Sequence, residues 1–199
     1  MQALSSLLVE HPLVLPLLLI AIVAPLGAID IAYYHVWRFR LHDQPASRAE
    51  TVTHLVRGAL FASVSAVLTG YEPHGTWFWL IGGLLVLDFA NSIADVALEP
   101  ASRAPLGGLP PLEYVIHIVG STFGGAVTLA YFALGWRLGE GPPALVPIAG
   151  ALPAWLLIDG ALLAIGGAAM TLGEGFLFAR SILRRRGTGR APALDAAVG

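Results

Sequence analysis

The 199-residue chain contains no cysteine. Disulfides, thiolate metal sites and c-type haem attachment are therefore excluded. It contains no lysine either, because all eleven basic residues are arginine. That removes any mechanism built on a lysine Schiff base, including retinal attachment and pyridoxal chemistry. Charge of both signs is scarce: Asp, Glu, Lys and Arg make up 12% of the chain, roughly half the usual share of a soluble domain. The formal net charge of −2 gives no reason to expect nucleic acid or another polyanion as a partner. Several catalytic signatures are also missing: neither common Gly-rich nucleotide loop, no Gly-x-Ser-x-Gly elbow and no His-Glu-x-x-His occurs. The six histidines, two of them remote from the rest, are too few for the histidine boxes of membrane desaturases.

What remains is apolar. Hydrophobic residues make up 56% of the chain and the mean hydropathy is +0.74, the composition of an all-α integral membrane protein. A helix needs about 20 apolar residues to cross the hydrocarbon core. Five spans are expected, over about 12–41, 49–69, 77–98, 111–136 and 152–183, in a single multi-pass domain, with 187–199 as a disordered cytoplasmic tail. A cleaved signal peptide is not expected, since the residues before the first span carry Glu10 and no positive charge. Ten of the eleven arginines fall on one side, with only Arg137 on the other. The positive-inside rule then puts the N-terminus outside and the C-terminus in the cytoplasm, in a plasma or inner membrane. Trp77, Trp79, Trp136 and Trp155 form the outer aromatic belt, and Tyr33, Tyr34 and Trp37 the inner one.

Ionisable side chains at membrane depth are costly and mark function by default. Asp30 lies roughly 27 Å below Pro12, and Asp95 and Glu99 roughly 27 and 33 Å below Trp77. Glu50 and His54 open the second span from the inner side, Glu113 and His117 open the fourth, and Glu174 lies near the inner end of the fifth. Every span thus delivers a carboxylate to the same quarter of the membrane. Residues four apart share a helix face, so Glu50 pairs with His54, Asp95 with Glu99, and Glu113 with His117. Asp88, Asn91, Asp95 and Glu99 form one polar stripe on the third span.

The segment Glu50-Thr-Val-Thr-His54-Leu-Val resembles Glu113-Tyr-Val-Ile-His117-Ile-Val, and upstream Asp30-Ile-Ala matches Asp95-Val-Ala. Spans one to four read as two parallel copies of a helical hairpin, related by an axis along the membrane normal. The expected result is a four-helix bundle plus one additional helix, with four carboxylates and two histidines facing inward. Carboxylate-bridged di-iron and di-manganese bundles use this ligand inventory, although they space the pair Glu-x-x-His rather than Glu-x-x-x-His. The expected metal ligands are Asp30, His35, Glu50, His54, Asp95, Glu99, Glu113 and His117. Arg57, Asp88, Asn91, Arg103 and Glu174 are expected to orient those ligands or meet substrate. His42 reads as a loop histidine beyond the membrane, and the 100–111 loop as a stiff turn.

Oxygen and imidazole donors suit Fe(II) first, with Zn(II) and Mn(II) as alternatives. The expected function is a membrane metalloenzyme, an oxidoreductase or hydrolase, acting on a lipid-like or other apolar substrate. A redox version needs an external electron donor, because no flavin or nicotinamide motif is present. Two alternatives stand beside it: a proton or cation pathway along the intramembrane acids, and a bis-histidine haem b protein using His54 and His117.

Overall fold

A computed structural model describes residues 10–148, 150 and 152–187; the expected tail lies almost wholly outside the described residues. Helix α1 spans Val14–Ile29 and continues directly as a π-helical segment, Asp30–Arg38. Helix α2 spans Arg48–Gly70, α3 Thr76–Arg103, α4 Pro111–Gly135 and α5 Ala154–Gly187. These five helices are long and apolar enough to cross a membrane.

The all-helical expectation needs one correction. Strand β1, Tyr71–His74, pairs antiparallel with β2, Ala144–Pro147, in the register Tyr71↔Pro147 to His74↔Ala144. Pro73, Pro142, Pro143 and Pro147 cannot continue a helix, and the two extended segments satisfy each other's backbone groups instead. The ribbon caps the end of the molecule away from the arginine-rich end.

Helix α3 runs to Arg103, past the expected end near residue 98. It stops where Gly107 and Gly108 take φ of +93° and +94°, values that glycine adopts without a Cβ penalty. The Gly108 N–H donates to the Arg103 carbonyl at 2.9 Å, closing the helix end. The extra turn carries Glu99 and Arg103 into the interior, where both are buried. The next helix begins at once with Pro111, whose fixed φ suits a first helical position.

Association of such apolar helices rests on close packing. Helix α2 packs tightly against α5, where Gly58 backs onto Thr171, Gly160 onto Thr69 and Gly167 onto Phe61, with no room for a Cβ. Away from the arginines, Phe78 and Tyr131 stack at 4.6 Å and the Tyr131 hydroxyl donates to the Phe78 carbonyl at 2.8 Å. Leu13, Leu17, Ile81 and Leu156 complete that apolar core. Helix α1 packs chiefly on α4, and α2 on α3 as well as α5, whereas α1 and α2 touch only sparsely. That sparse contact leaves a cavity beside α1.

Candidate metal centre

The polar cluster forms at the arginine-rich end, and its centre is Arg103. This side chain has no exposed surface. Its Nη1 donates to Glu50 Oε2 at 2.7 Å, and its Nη2 donates to Glu113 Oε1. Nη1 also reaches Ser102 Oγ at 3.1 Å, and the Ser102 hydroxyl donates to Ser47 Oγ at 2.7 Å. The Arg103 guanidinium lies over the Phe39 ring, 5.5 Å from its centroid. Arginine suits such a position because its planar fork can bridge two carboxylates at once. The sequence placed Arg103 in a connecting loop with an orienting or substrate role; helix α3 instead drives it into the middle of the cluster. The signal available was its isolation, as the sole arginine between the third and fourth spans.

Two histidine–carboxylate pairs flank this centre, each joining helices distant in sequence. His54 Nε2 lies 2.8 Å from Asp95 Oδ2, and His117 Nε2 lies 2.9 Å from Asp30 Oδ2. The Thr53 hydroxyl donates to Asp95 Oδ1 at 2.5 Å, and Asn91 Nδ2 donates to the Thr53 carbonyl at 2.9 Å. Asn91 therefore fixes α3 against α2 and, through Thr53, stands behind Asp95. Glu99 Oε1 comes within 2.5 Å of His117 Nδ1, yet neither atom has a hydrogen-bond partner of good geometry.

His35 occupies the space between the pairs. Its Nε2 is 3.4 Å from Asp30 Oδ2 and 3.5 Å from Glu113 Oε1. Its ring stacks on His54 at 4.1 Å and stands edge-on to His117 at 6.3 Å. The π-helical turn makes this possible. Residues five apart are hydrogen-bonded neighbours in a π-helix, whereas in an α-helix they stand about 140° apart. Only the wider turn lets Asp30 and His35 face the same point.

Ligand atoms of three residue sets each fall within 4.8 Å of one another: Asp30, His35, Glu113 and His117; Glu50, His54 and Asp95; and His35, His54 and Glu174. All eight expected ligands are thus drawn to one end of the bundle, with Glu99 beside His117. Helix α5 contributes Glu174, which is buried next to the two stacked histidines. No family model matches this chain, and comparison with characterised proteins and with solved structures gives no significant match. The chemistry of the site must be argued from the residues.

Arg57 and Asp88 stay outside the cluster. They face each other at 3.9 Å on the cavity wall, partly exposed. His42 is a loop residue, as expected, but a buried one: it packs in the Leu41–Asp43 turn, 3.6 Å from Asp43 Oδ2. Burial holds its pKa below the ordinary imidazole value, and the Asp43 carboxylate opposes that shift.

The donor atoms fit a cation. Asp30 Oδ1, His35 Nδ1, Glu50 Oε1 and Glu113 Oε2 are buried without a hydrogen-bond partner, an arrangement that costs free energy unless something else binds them. Six buried carboxylates (Asp30, Glu50, Asp95, Glu99, Glu113 and Glu174) face one buried guanidinium. With all six carboxylates ionised and the histidines neutral, these groups carry five negative charges beyond the one guanidinium.

Proposed function

We propose that this chain is a multi-pass membrane metalloprotein, with its C-terminus in the cytoplasm, that binds two divalent metal ions at the cytoplasmic end of the bundle and acts as an enzyme on a lipid-like substrate. The observation that carries this reading is the charge balance of the cluster. With the six carboxylates ionised, protonating all three clustered histidines still leaves two negative charges unmatched, whereas two divalent cations supply four positive charges to ligand atoms already gathered. One ion is held by Asp30, His35, Glu113 and His117, the other by Glu50, His54 and Asp95, with Glu174 reaching the histidines between them. Iron is the preferred metal, with zinc and manganese as alternatives.

The arrangement also supports the parallel repeat, with the helices interleaved rather than packed as separate hairpins. His54 of the first copy takes Asp95 of the second, His117 of the second takes Asp30 of the first, and Glu50 and Glu113 share Arg103. Equivalent residues thus have equivalent partners, as a pseudo-two-fold relation between the copies would require.

Bound iron would supply oxygen or electron-transfer chemistry with an external electron donor, and bound zinc would activate water. The protein's own part is orientation. Arg103 holds one oxygen of each glutamate and leaves the other free, while Thr53 and Asp95 hold His54 in place. Apolar walls beside the cluster exclude water and admit an apolar substrate.

A transmembrane ion pathway fits less well, because the opposite end of the bundle is closed by Phe78, Tyr131 and their apolar neighbours. A bis-histidine haem fits less well too, since Asp95 and Asp30 lie directly beside the His54 and His117 Nε2 atoms; a carboxylate can share a divalent ion with an imidazole, but it stands where the porphyrin plane would have to lie. Elemental analysis and an optical spectrum of the purified protein test the proposal. About two metal ions per chain and no Soret band are expected, with metal lost in Glu113→Ala and His117→Ala. A metal-free wild type whose stability is untouched by added Fe(II), Mn(II) or Zn(II) overturns it.

A further inference from the structure

A cavity of about 390 Å³ runs from the cluster into the apolar part of the bundle, between α1, α2, α4 and α5, with Leu85, Asp88 and Asp95 of α3 completing its wall. Its size falls within the usual range for ligand pockets. It is elongated: its lining runs from Ile20 to Ile31 on α1 and from His54 to Val64 on α2, about 15 Å of helix in each case. One end is formed by Asp30, His54, Asp95 and His117, and most of the remaining wall is apolar. The charges that do line the wall, Arg57 and Asp88, face each other at 3.9 Å, so the wall presents no net charge.

We infer that this cavity holds the hydrocarbon tail of a membrane lipid, an unbranched acyl or alkyl chain lying along the helices with a methylene segment against the cluster. Entry is sideways, through the gap between α1 and α5. Those helices are in limited contact, and Leu162 of the cavity lining is an exposed apolar side chain, as are Ile22, Ile29 and Ile165 on the same two helices. Three glycines make room for the chain. A Cβ on Gly27 of α1, Gly124 of α4 or Gly166 of α5 would meet nothing within 4 Å, and all three line the cavity. Asp30 Oδ1, 5% exposed as a residue and without a hydrogen-bond partner, lies at the cluster end. The inference rests on the metalloprotein reading for its chemistry, but the binding of the chain does not.

The test uses photoactivatable hexadecanol, a neutral long-chain probe carrying a diazirine, with the protein in phosphatidylcholine vesicles. In the wild type, cross-links are expected on the cavity faces of α1 and α5, around Leu26 and Leu163. Gly124→Leu should fill the wall and reduce those cross-links at least tenfold, with metal content unchanged. Gly27→Leu and Gly166→Leu narrow the mouth from either side and give second and third filled forms should one fail to fold. Cross-links confined to outward-facing residues such as Leu129, or cavity labelling undiminished in folded filled variants, overturn the inference. Labelling that is lost on filling in a protein that never holds metal sustains the chain site and defeats the metal reading alone.

Discussion

Replacing Arg103 by glutamine puts the charge balance of the cluster to a quantitative test. Arg103 is wholly buried and serves two carboxylates on two different helices, Glu50 on α2 and Glu113 on α4. Without metal, Arg103→Gln leaves both glutamates buried and unpaired, and breaking a buried ion pair from one side costs about 3–5 kcal/mol. For a chain of this length about 1 kcal/mol moves Tm by about 2–4 °C, so Tm in a chelator should fall by about 6–20 °C. Metal should reverse much of that loss. A cation beside the freed glutamates gains about 4 kcal/mol per unit charge pair at 4 Å and an effective dielectric near 20, before desolvation is subtracted. The variant should therefore gain more Tm than the wild type on addition of Fe(II), Mn(II) or Zn(II). Far-UV circular dichroism melts in detergent, with chelator and with metal, give all four values of the cycle. Arg103→Lys keeps the charge but lacks the two-pronged reach, and should fall between. Equal metal-induced shifts in wild type and Arg103→Gln, or no loss of Tm in chelator, would refute the idea that Arg103 and metal ions compensate the same carboxylates.

The α2–α5 interface offers a test of packing alone: Gly160→Ala pushes a methyl into Thr69, which should cost about 1–3 kcal/mol and lower Tm without changing metal content, whereas an unaltered melt would mean these helices are not in close contact. The absence of cysteine makes topology measurable. Single cysteines at Ala101, near the arginine-rich end, and at Glu140, near the ribbon, both exposed, should label with a membrane-impermeant maleimide from opposite sides of a sealed vesicle, Glu140→Cys from outside in intact cells; labelling from the same side would contradict the spanning arrangement.

The convergence of acids and histidines was legible because it depends only on depth, and depth follows from counting residues along a helix. Asp30, Glu50, Asp95, Glu113 and Glu174 each lie at the arginine-rich end of a helix, whatever their rotation. Partner choice was not legible, because it depends on which helices touch. Glu50 and His54 share a face, as do Glu113 and His117, yet in each case the glutamate pairs with Arg103 and the histidine with an aspartate from another helix. Nothing in an apolar sequence states that α1 lies on α4 or that α5 lies on α2; those choices turn on whether Gly58 finds Thr171 and Gly160 finds Thr69. The end of α3 was misjudged for a local reason. Pro100 suggests a break, but the helix passes it and the Gly107–Gly108 pair supplies the actual stop. Arg103 therefore reads from the sequence as a loop residue and is an interior one, and Glu99, an expected ligand at the end of the span, is buried with it.

The π-helical segment links the polar cluster to the apolar cavity. A nine-residue π-helix is long by any standard, since such turns usually occur singly and often at functional sites. It begins at Asp30, the residue where the apolar cavity ends and the cluster begins. Above it, Pro25 lines the cavity and cannot donate a backbone hydrogen bond to the preceding turn. Below it, the wide turn aligns Asp30 with His35, so α1 supplies two ligand atoms to one point while packing against α4 and leaving α2 largely untouched. An α-helical course through the same residues would turn His35 away from Asp30 and take the shared imidazole out of two of the three ligand sets. The irregular stretch of α1 is therefore the element on which both the ligand geometry and the space beside it depend.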